Sequence, residues 1–190
     1  MEQLEVIKWL VAKLEENNIA YFITGSIASA YHGIPRFTHD IDLVVSIKKE
    51  DADNIVSLFM DEGYISKEGI IHAFSGTGMF NFIHDKTGWK VDFWINRGDA
   101  FAASCFRRAR KVEIDEGFSA VVATPEDVLL HKVYWNKLTP SERQMGDARG
   151  IVAVQGKNLD ASYIGMWAKI MDIAKEIDEI MTRKDLPNTT

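Results

Sequence analysis

Two aspartates one residue apart, Asp40 and Asp42, stand in the stretch HDIDLVV, and a third, Asp92, stands in KVDFWI. Side chains alternate faces along a strand, so Asp40 and Asp42 project together while Ile41 and Leu43 turn into a core. Carboxylates that close repel and raise each other's pKa. A divalent cation relieves the conflict, because hard oxygen ligands suit Mg²⁺ and its charge holds the acids ionised. If the strand bearing Asp92 lies near HDIDLVV, three carboxylates converge, an arrangement that can hold two metals across a phosphoryl transfer. Upstream, the Gly25-Ser26 turn of TGSIASAYHG supplies a complementary half. Gly25 lets backbone approach a ligand, and the N–H groups opening the next helix, with the Ser26 hydroxyl, suit a phosphate.

The elements that must position these groups are legible as a mixture of helix and strand. Leu4, Ile7, Leu10, Val11 and Leu14 recur at helical spacing, predicting a helix over 2–16 that ends at Asn17-Asn18. AYFIT reads as a short strand, and SIASAYHG as a helix with Ser26 as its N-cap and Gly33 as its stop, Pro35 preventing resumption. HDIDLVVS is a strand, and KEDADNIVSLFMDEG a helix with Ile55, Leu58 and Phe59 on one face. From 64 to 95 the pattern is β-like: IIHAFS, a GTG turn, MFNFIH, a DKTG turn and WKVDFWI. RKVEI and FSAVVA form a further pair joined by DEG. Connections this short favour antiparallel neighbours, so the expected class is α+β with a mixed, mainly antiparallel sheet flanked by helices.

The sequence changes character at Thr124. Thr124-Pro125-Glu126-Asp127 and Thr139-Pro140-Ser141-Glu142 each pair a threonine N-cap with proline at the first helical position. ASYIGMWAKIMDIAKEIDEIMTRK adds one or two helices before a tail at LPNTT. The expected division is a core over 1–124 and a C-terminal helical part over 125–190.

Length and composition bound the function. A chain of 190 residues with 46% apolar and 26% charged residues suits a globular core, not a disordered or membrane class. It shows neither an apolar signal core nor a run long enough to span a bilayer, which points to the cytoplasm and no membrane partner. Cys105 is the only cysteine, so no internal disulfide or cysteine-rich zinc site is expected, and it reads as a small core residue. A net charge of -6 argues against coating nucleic acid through bulk electrostatics. The basic run RRARK at 107–111 reads first as a solvated face, with a polyanion site as the alternative.

TGS, a short helix, D-I-D in a strand and V-D-F in a later strand together resemble the signature of the nucleotidyltransferase fold, the superfamily of DNA polymerase β and kanamycin nucleotidyltransferase. GIPRFTHDIDLVV, FNFIHDKTGWKVDFWI, FRRARKVEI, ATPEDVLLHKVYW and SERQMGDARGIVAVQGKNLDASYIGMWA resemble more closely the abortive-infection AbiEii-like branch, which includes toxins of toxin-antitoxin pairs. The resemblance reaches from about residue 20 to about residue 168 and implies roles position by position. Asp40 and Asp42 bind Mg²⁺ or Mn²⁺ and, through it, the phosphates of a nucleoside triphosphate. Asp92 is the third metal ligand and helps deprotonate the acceptor hydroxyl. Gly25 and Ser26 hold the triphosphate, Arg36 and Thr38 contact phosphate or orient Asp40, and Lys132 lies near the nucleotide. The implied reaction is attack of an acceptor hydroxyl on the α-phosphate with loss of pyrophosphate. The acceptor, an RNA, a protein or a small molecule, is not specified, and an antitoxin-like protein is an implied partner.

Plainer readings stand beside these. Thr38 is a common strand-start residue, Arg36 serves equally as a salt-bridge partner, and Lys132 as one solvated lysine among several. Arg143, Asp147 and Arg149, at helical spacing, read as an intrahelical charge network. His39 faces away from the acids by parity. Two rival functions remain: a non-catalytic relative that binds a nucleotide or partner, and a phosphohydrolase borrowing the D-x-D pair.

Overall fold

The computed structural model describes residues 2–76 and 78–182. The tail LPNTT, and Thr77 of the expected GTG turn, lie outside them. The chain clusters into two compact units, one from the chain up to Thr24 with Thr38–Val122, the other from Gly25–Phe37 with the chain from Ala123 onward.

The first unit is built on a seven-stranded sheet. Its strands are β1 (Ala20–Ile23), β2 (Asp40–Ser46), β3 (Gly63–Ile65), β4 (Met79–His84), β5 (Lys90–Ile95), β6 (Arg110–Asp115) and β7 (Phe118–Val122), in the order β3-β4-β5-β2-β1-β7-β6. The β2–β5 and β1–β7 pairs are parallel and the other four antiparallel, the mixed, mainly antiparallel sheet expected; short turns join only the β4–β5 and β6–β7 pairs. Its helices are α1 (Gln3–Glu16), α3 (Ala52–Phe59), α4 (Lys67–Ser75) and α5 (Ala100–Arg108). One sheet face carries Ile41, Leu43, Val45, Phe82, Val91 and Phe93, all buried. Trp9 of α1 and Phe59 of α3 close over it, their rings 5.9 Å apart and Phe59 5.6 Å from Phe93. Gly63 of β3 is required by contact: a Cβ there would lie 2.1 Å from the Ile83 carbonyl oxygen.

The second unit is helical, with α2 (Gly25–His32), α6 (Pro125–Leu138), α7 (Glu142–Gln155), α8 (Ala161–Ile170) and α9 (Ala174–Thr182). Thr124 caps α6, accepting from the Asp127 N–H with Pro125 following, as its sequence signalled. Gly33, just after α2, meets α7 so closely that a Cβ would come within 2.8 Å of the Gly150 backbone.

Three local expectations are corrected. IIHAFS is not a strand but most of α4: Ser66 accepts from the Gly69 N–H as N-cap, and Ile70 and Ala73 share the buried side at helical spacing. The second T-P-x-acid signal starts its helix two residues late, because the Thr139 N–H donates to Trp135 and Ser141 takes over the cap. Ser26 lies inside the first turn of α2, since Gly25, at φ +61, already makes the turn. RRARK, divided between the end of α5 and the start of β6, is mostly solvated as expected, with Arg107, Arg110 and Lys111 exposed and Lys111 paired with Glu15 at 3.2 Å. Helix α5 was not among the expected elements.

Candidate functional site

The acids and the Gly-Ser turn fall in different units, and each has its own surroundings. In the first unit, β2 and β5 run parallel with Asp42 directly opposite Asp92 and Asp40 directly opposite Lys90. Parity therefore puts Asp40, Asp42, Lys90, Asp92 and Trp94 on one face of two adjacent strands. Ile41, Leu43 and Phe93 anchor the same strands from the other face, being at most 1% exposed. Asp92, the most enclosed of the three acids, is 8% exposed.

None of these carboxylates is bare. Lys90 Nζ lies 3.0 Å from Asp92 Oδ2 and 3.5 Å from Asp40 Oδ1. The Asn81 amide, directly across from Asp92 on β4, donates to Asp92 Oδ1. Trp94 Nε1 donates to Asp42 Oδ1 at 3.4 Å. The hydrogen bond to Asp92 and the two negative charges push the Lys90 ammonium above its ordinary pKa, against the burial that opposes it. Thr38 Oγ1 lies 3.4 Å from the Asp40 N–H, placing it against the backbone of the first acid.

Among the described residues, no three His, Cys, Asp or Glu side chains are gathered to ligate one ion together. The donor chemistry nonetheless fits a hard divalent cation: three carboxylates and one ammonium leave a formal charge of -2 on one polar face. A cavity of about 510 Å³ lies at the far end of β2, lined by Asn18, Ser46 and Asn54, and contains none of the three acids.

In the second unit, Ser26, Arg36, Lys132 and Asp147 form one network. Arg36 forks onto Asp147, with Nε 2.6 Å from Oδ1 and Nη2 2.8 Å from Oδ2, and Nη2 also donates to Ser26 Oγ at 2.7 Å. Lys132 Nζ reaches Asp147 Oδ2 at 2.8 Å, with its side chain 7% exposed and that of Asp147 4%. Burial alone would raise the Asp147 carboxyl, but the hydrogen bonds from Arg36 and Lys132 outweigh it and hold the group below its usual range. The same pairing raises the Arg36 guanidinium.

Several expectations change here. Lys132 is not a solvated lysine but a buried one with a dedicated carboxylate. Asp147 does not join a network with Arg143 and Arg149: Arg149 pairs with Glu142 at 3.7 Å, and Asp147 takes both Arg36 and Lys132. The signal for this lay in QMGDARG, where the acid is set among Gly146, Ala148 and Gly150. Small neighbours let helix backbones approach closely, which suits a buried acid better than a solvated one. Asn81 and Lys90 were also missed, although Lys90 shares the parity of Asp92. His39 is exposed and keeps away from the acids, its ring 5.9 Å from that of Trp89.

No protein-family model matches the chain, and no curated protein matches it significantly. Solved structures do. An antigenic nucleotidyltransferase-like protein from Paracoccidioides brasiliensis is 18% identical with a TM-score of 0.54, covering 93% of this chain and 90% of that one. The lincosamide antibiotic adenylyltransferase LnuA, solved with lincomycin bound, is 10% identical with a TM-score of 0.56 over 81% of this chain and 98% of its own. ANT(2'')-Ia, solved in complex with adenylyl-2''-tobramycin, is 14% identical with a TM-score of 0.55 over 90% and 97% of the two chains. The chain has the nucleotidyltransferase fold. Within that fold, β2 and β5 are the strands whose adjacency brings Asp42 opposite Asp92.

Proposed function

We propose that the protein is a metal-dependent nucleotidyltransferase that moves a nucleoside monophosphate from a nucleoside triphosphate to an acceptor hydroxyl. The observation that carries this reading is the register of β2 and β5: Asp42 and Asp92 are direct neighbours and Asp40 shares their face. Asp92 is 8% exposed, and taking a carboxylate that far out of water costs free energy that its Lys90 and Asn81 partners must offset.

Asp40, Asp42 and Asp92 would hold Mg²⁺ or Mn²⁺, which when bound supplies neutralisation of the phosphate charge. Asp92, oriented by the Asn81 amide, accepts the proton of the acceptor hydroxyl. Thr38 fixes the backbone of Asp40. Gly25 and Ser26 hold the triphosphate, with Arg36 and Lys132 serving it directly or through their neighbours.

Lincomycin and adenylyl-tobramycin in the similar structures are hydroxyl-bearing small molecules, which supports a small-molecule acceptor for this chain. The AbiEii-like resemblance keeps RNA and protein acceptors open beside a small molecule, with a toxin role in the cytoplasm and an antitoxin-like partner. Incubation with each labelled nucleoside triphosphate, offered a hydroxylated antibiotic panel, RNA or cell extract, distinguishes these by which component becomes labelled. Asp92→Asn should abolish labelling while leaving the thermal midpoint within a few degrees of the parent. Equal labelling by Asp92→Asn would sink the assignment. A second reading, a non-catalytic nucleotide- or partner-binding relative, draws on Lys90, whose ammonium already compensates two of the acids. Metal-independent nucleotide binding without pyrophosphate release would favour it.

A further inference from the structure

We propose that Asp147 and Arg36 form a positioning relay that fixes the Ser26 hydroxyl as an outward hydrogen-bond donor to a phosphate oxygen. The proposal rests on the reading of Gly25-Ser26 as a triphosphate cradle and assigns residues that act on it indirectly.

A guanidinium has five N–H donors and no acceptor. In Arg36, Nε and Nη2 fork onto the two Asp147 oxygens, Nη2 also donates to Ser26 Oγ, and Nη1 donates to the Phe37 carbonyl at 3.2 Å. Most of its donors are engaged within the protein, which makes it a strut more than a free phosphate ligand. Ser26 Oγ has one proton and two lone pairs. Arg36 occupies a lone pair, so the Ser26 O–H bond cannot point at the guanidinium. Among the described residues, Arg36 is the one partner of that hydroxyl. The half-buried hydroxyl is thus left with a proton to give and a cation polarising it, the condition that strengthens a donor.

Asp147 makes the strut rigid. Its side chain is 4% exposed, it grips Arg36 by both oxygens, and Lys132 holds one of those oxygens from another side. A bidentate fork fixes the plane of the guanidinium, which a single contact would leave free to rotate. Asp147 and Arg36 are therefore positioning residues, and of the three side chains only that of Ser26 touches the ligand.

The test is a double-mutant cycle read by calorimetry with inorganic tripolyphosphate and the full chain, in chelator, so that no metal contributes. Ser26→Ala should weaken binding about tenfold, the size of one hydrogen bond to a charged group. Arg36→Gln should cost a similar factor. The double variant should bind no more weakly than Ser26→Ala alone, because the relay has no other output. Additive losses, or an Arg36→Gln affinity equal to the parent's, would overturn the relay while leaving the cradle intact. A parent that ignores tripolyphosphate, or a Ser26→Ala variant that binds like the parent, would remove the cradle and the relay with it. If Arg36→Gln does not fold, Arg36→Lys reads the same cycle, since a lysine keeps the charge but cannot fork. A merely structural role for Arg36 would lower the thermal midpoint and leave the cycle additive.

Discussion

Replacing Asp147 by Asn deletes one negative charge from a place where two cations depend on it. The side chains of Asp147 and Lys132 are 4% and 7% exposed, and that of Arg36 is 28% exposed. Breaking a buried pair by removing one partner costs about 3–5 kcal/mol, because the survivor is left as an uncompensated buried charge. Arg36 can recover some hydration, so the low end, ~3 kcal/mol, applies. For a chain of this size, each kcal/mol moves the thermal midpoint by about 2–4 °C, so the variant should melt about 6–12 °C below the parent. Calorimetry across pH then checks the cause. The folded-state pKa of Asp147 lies below its ordinary 3.8, so its contribution is fully present above that value and is lost as pH falls through the depressed folded pKa. The gap between parent and variant should be constant at neutral pH and close in acid. A second change, Lys132→Met in the Asp147→Asn background, should recover part of the loss by removing the orphaned ammonium. The reasoning is refuted if Asp147→Asn melts with the parent, if the gap persists unchanged in acid, or if Lys132→Met makes it larger.

Other outcomes follow from single contacts. Lys90→Met frees Asp40 and Asp92 of their resident cation, so isothermal titration with Mn²⁺ should show tighter binding than in the parent; equal or weaker binding would show that Lys90 does not compete with the ion. Gly63→Ala forces a Cβ onto the Ile83 carbonyl and should lower stability by about 3 kcal/mol or more by urea unfolding. Ser66→Ala removes the cap of α4 and should cost about 1 kcal/mol; no change would mean the cap contributes nothing to that helix.

Much of the site was legible because strand periodicity is a local property. Within HDIDLVV and KVDFWI, residues 40–43 and 90–93 alternate polar and apolar, and that alternation survives in the structure with Ile41, Leu43, Val91 and Phe93 buried. The Thr124-Pro125 start of α6 was equally local, since cap and proline act within one turn. Where local signals competed, the reading failed. IIHAFS is short and apolar enough for either element, and only the Ser66 cap, with Ile70 and Ala73 packed on one side, selects helix. The cap expected at Thr139 gives way to Ser141, because the Thr139 N–H donates to the Trp135 carbonyl and closes α6.

The sequence by itself determined the candidates for chemistry and the elements that bear them: three aspartates on strands, a Gly-Ser turn, and the helical composition after Thr124. Tertiary structure alone decided their company. No local pattern states that β2 and β5 are parallel neighbours in a register setting Asp42 against Asp92 and Lys90 against Asp40, because strand pairing joins segments about fifty residues apart. Nor does any pattern state that Asp147 leaves its own helix's charges for Arg36, which lies 111 positions earlier in the chain. Periodicity fixes the face of a side chain; only the packed fold supplies its partner, and the partner sets the pKa, the burial and the role.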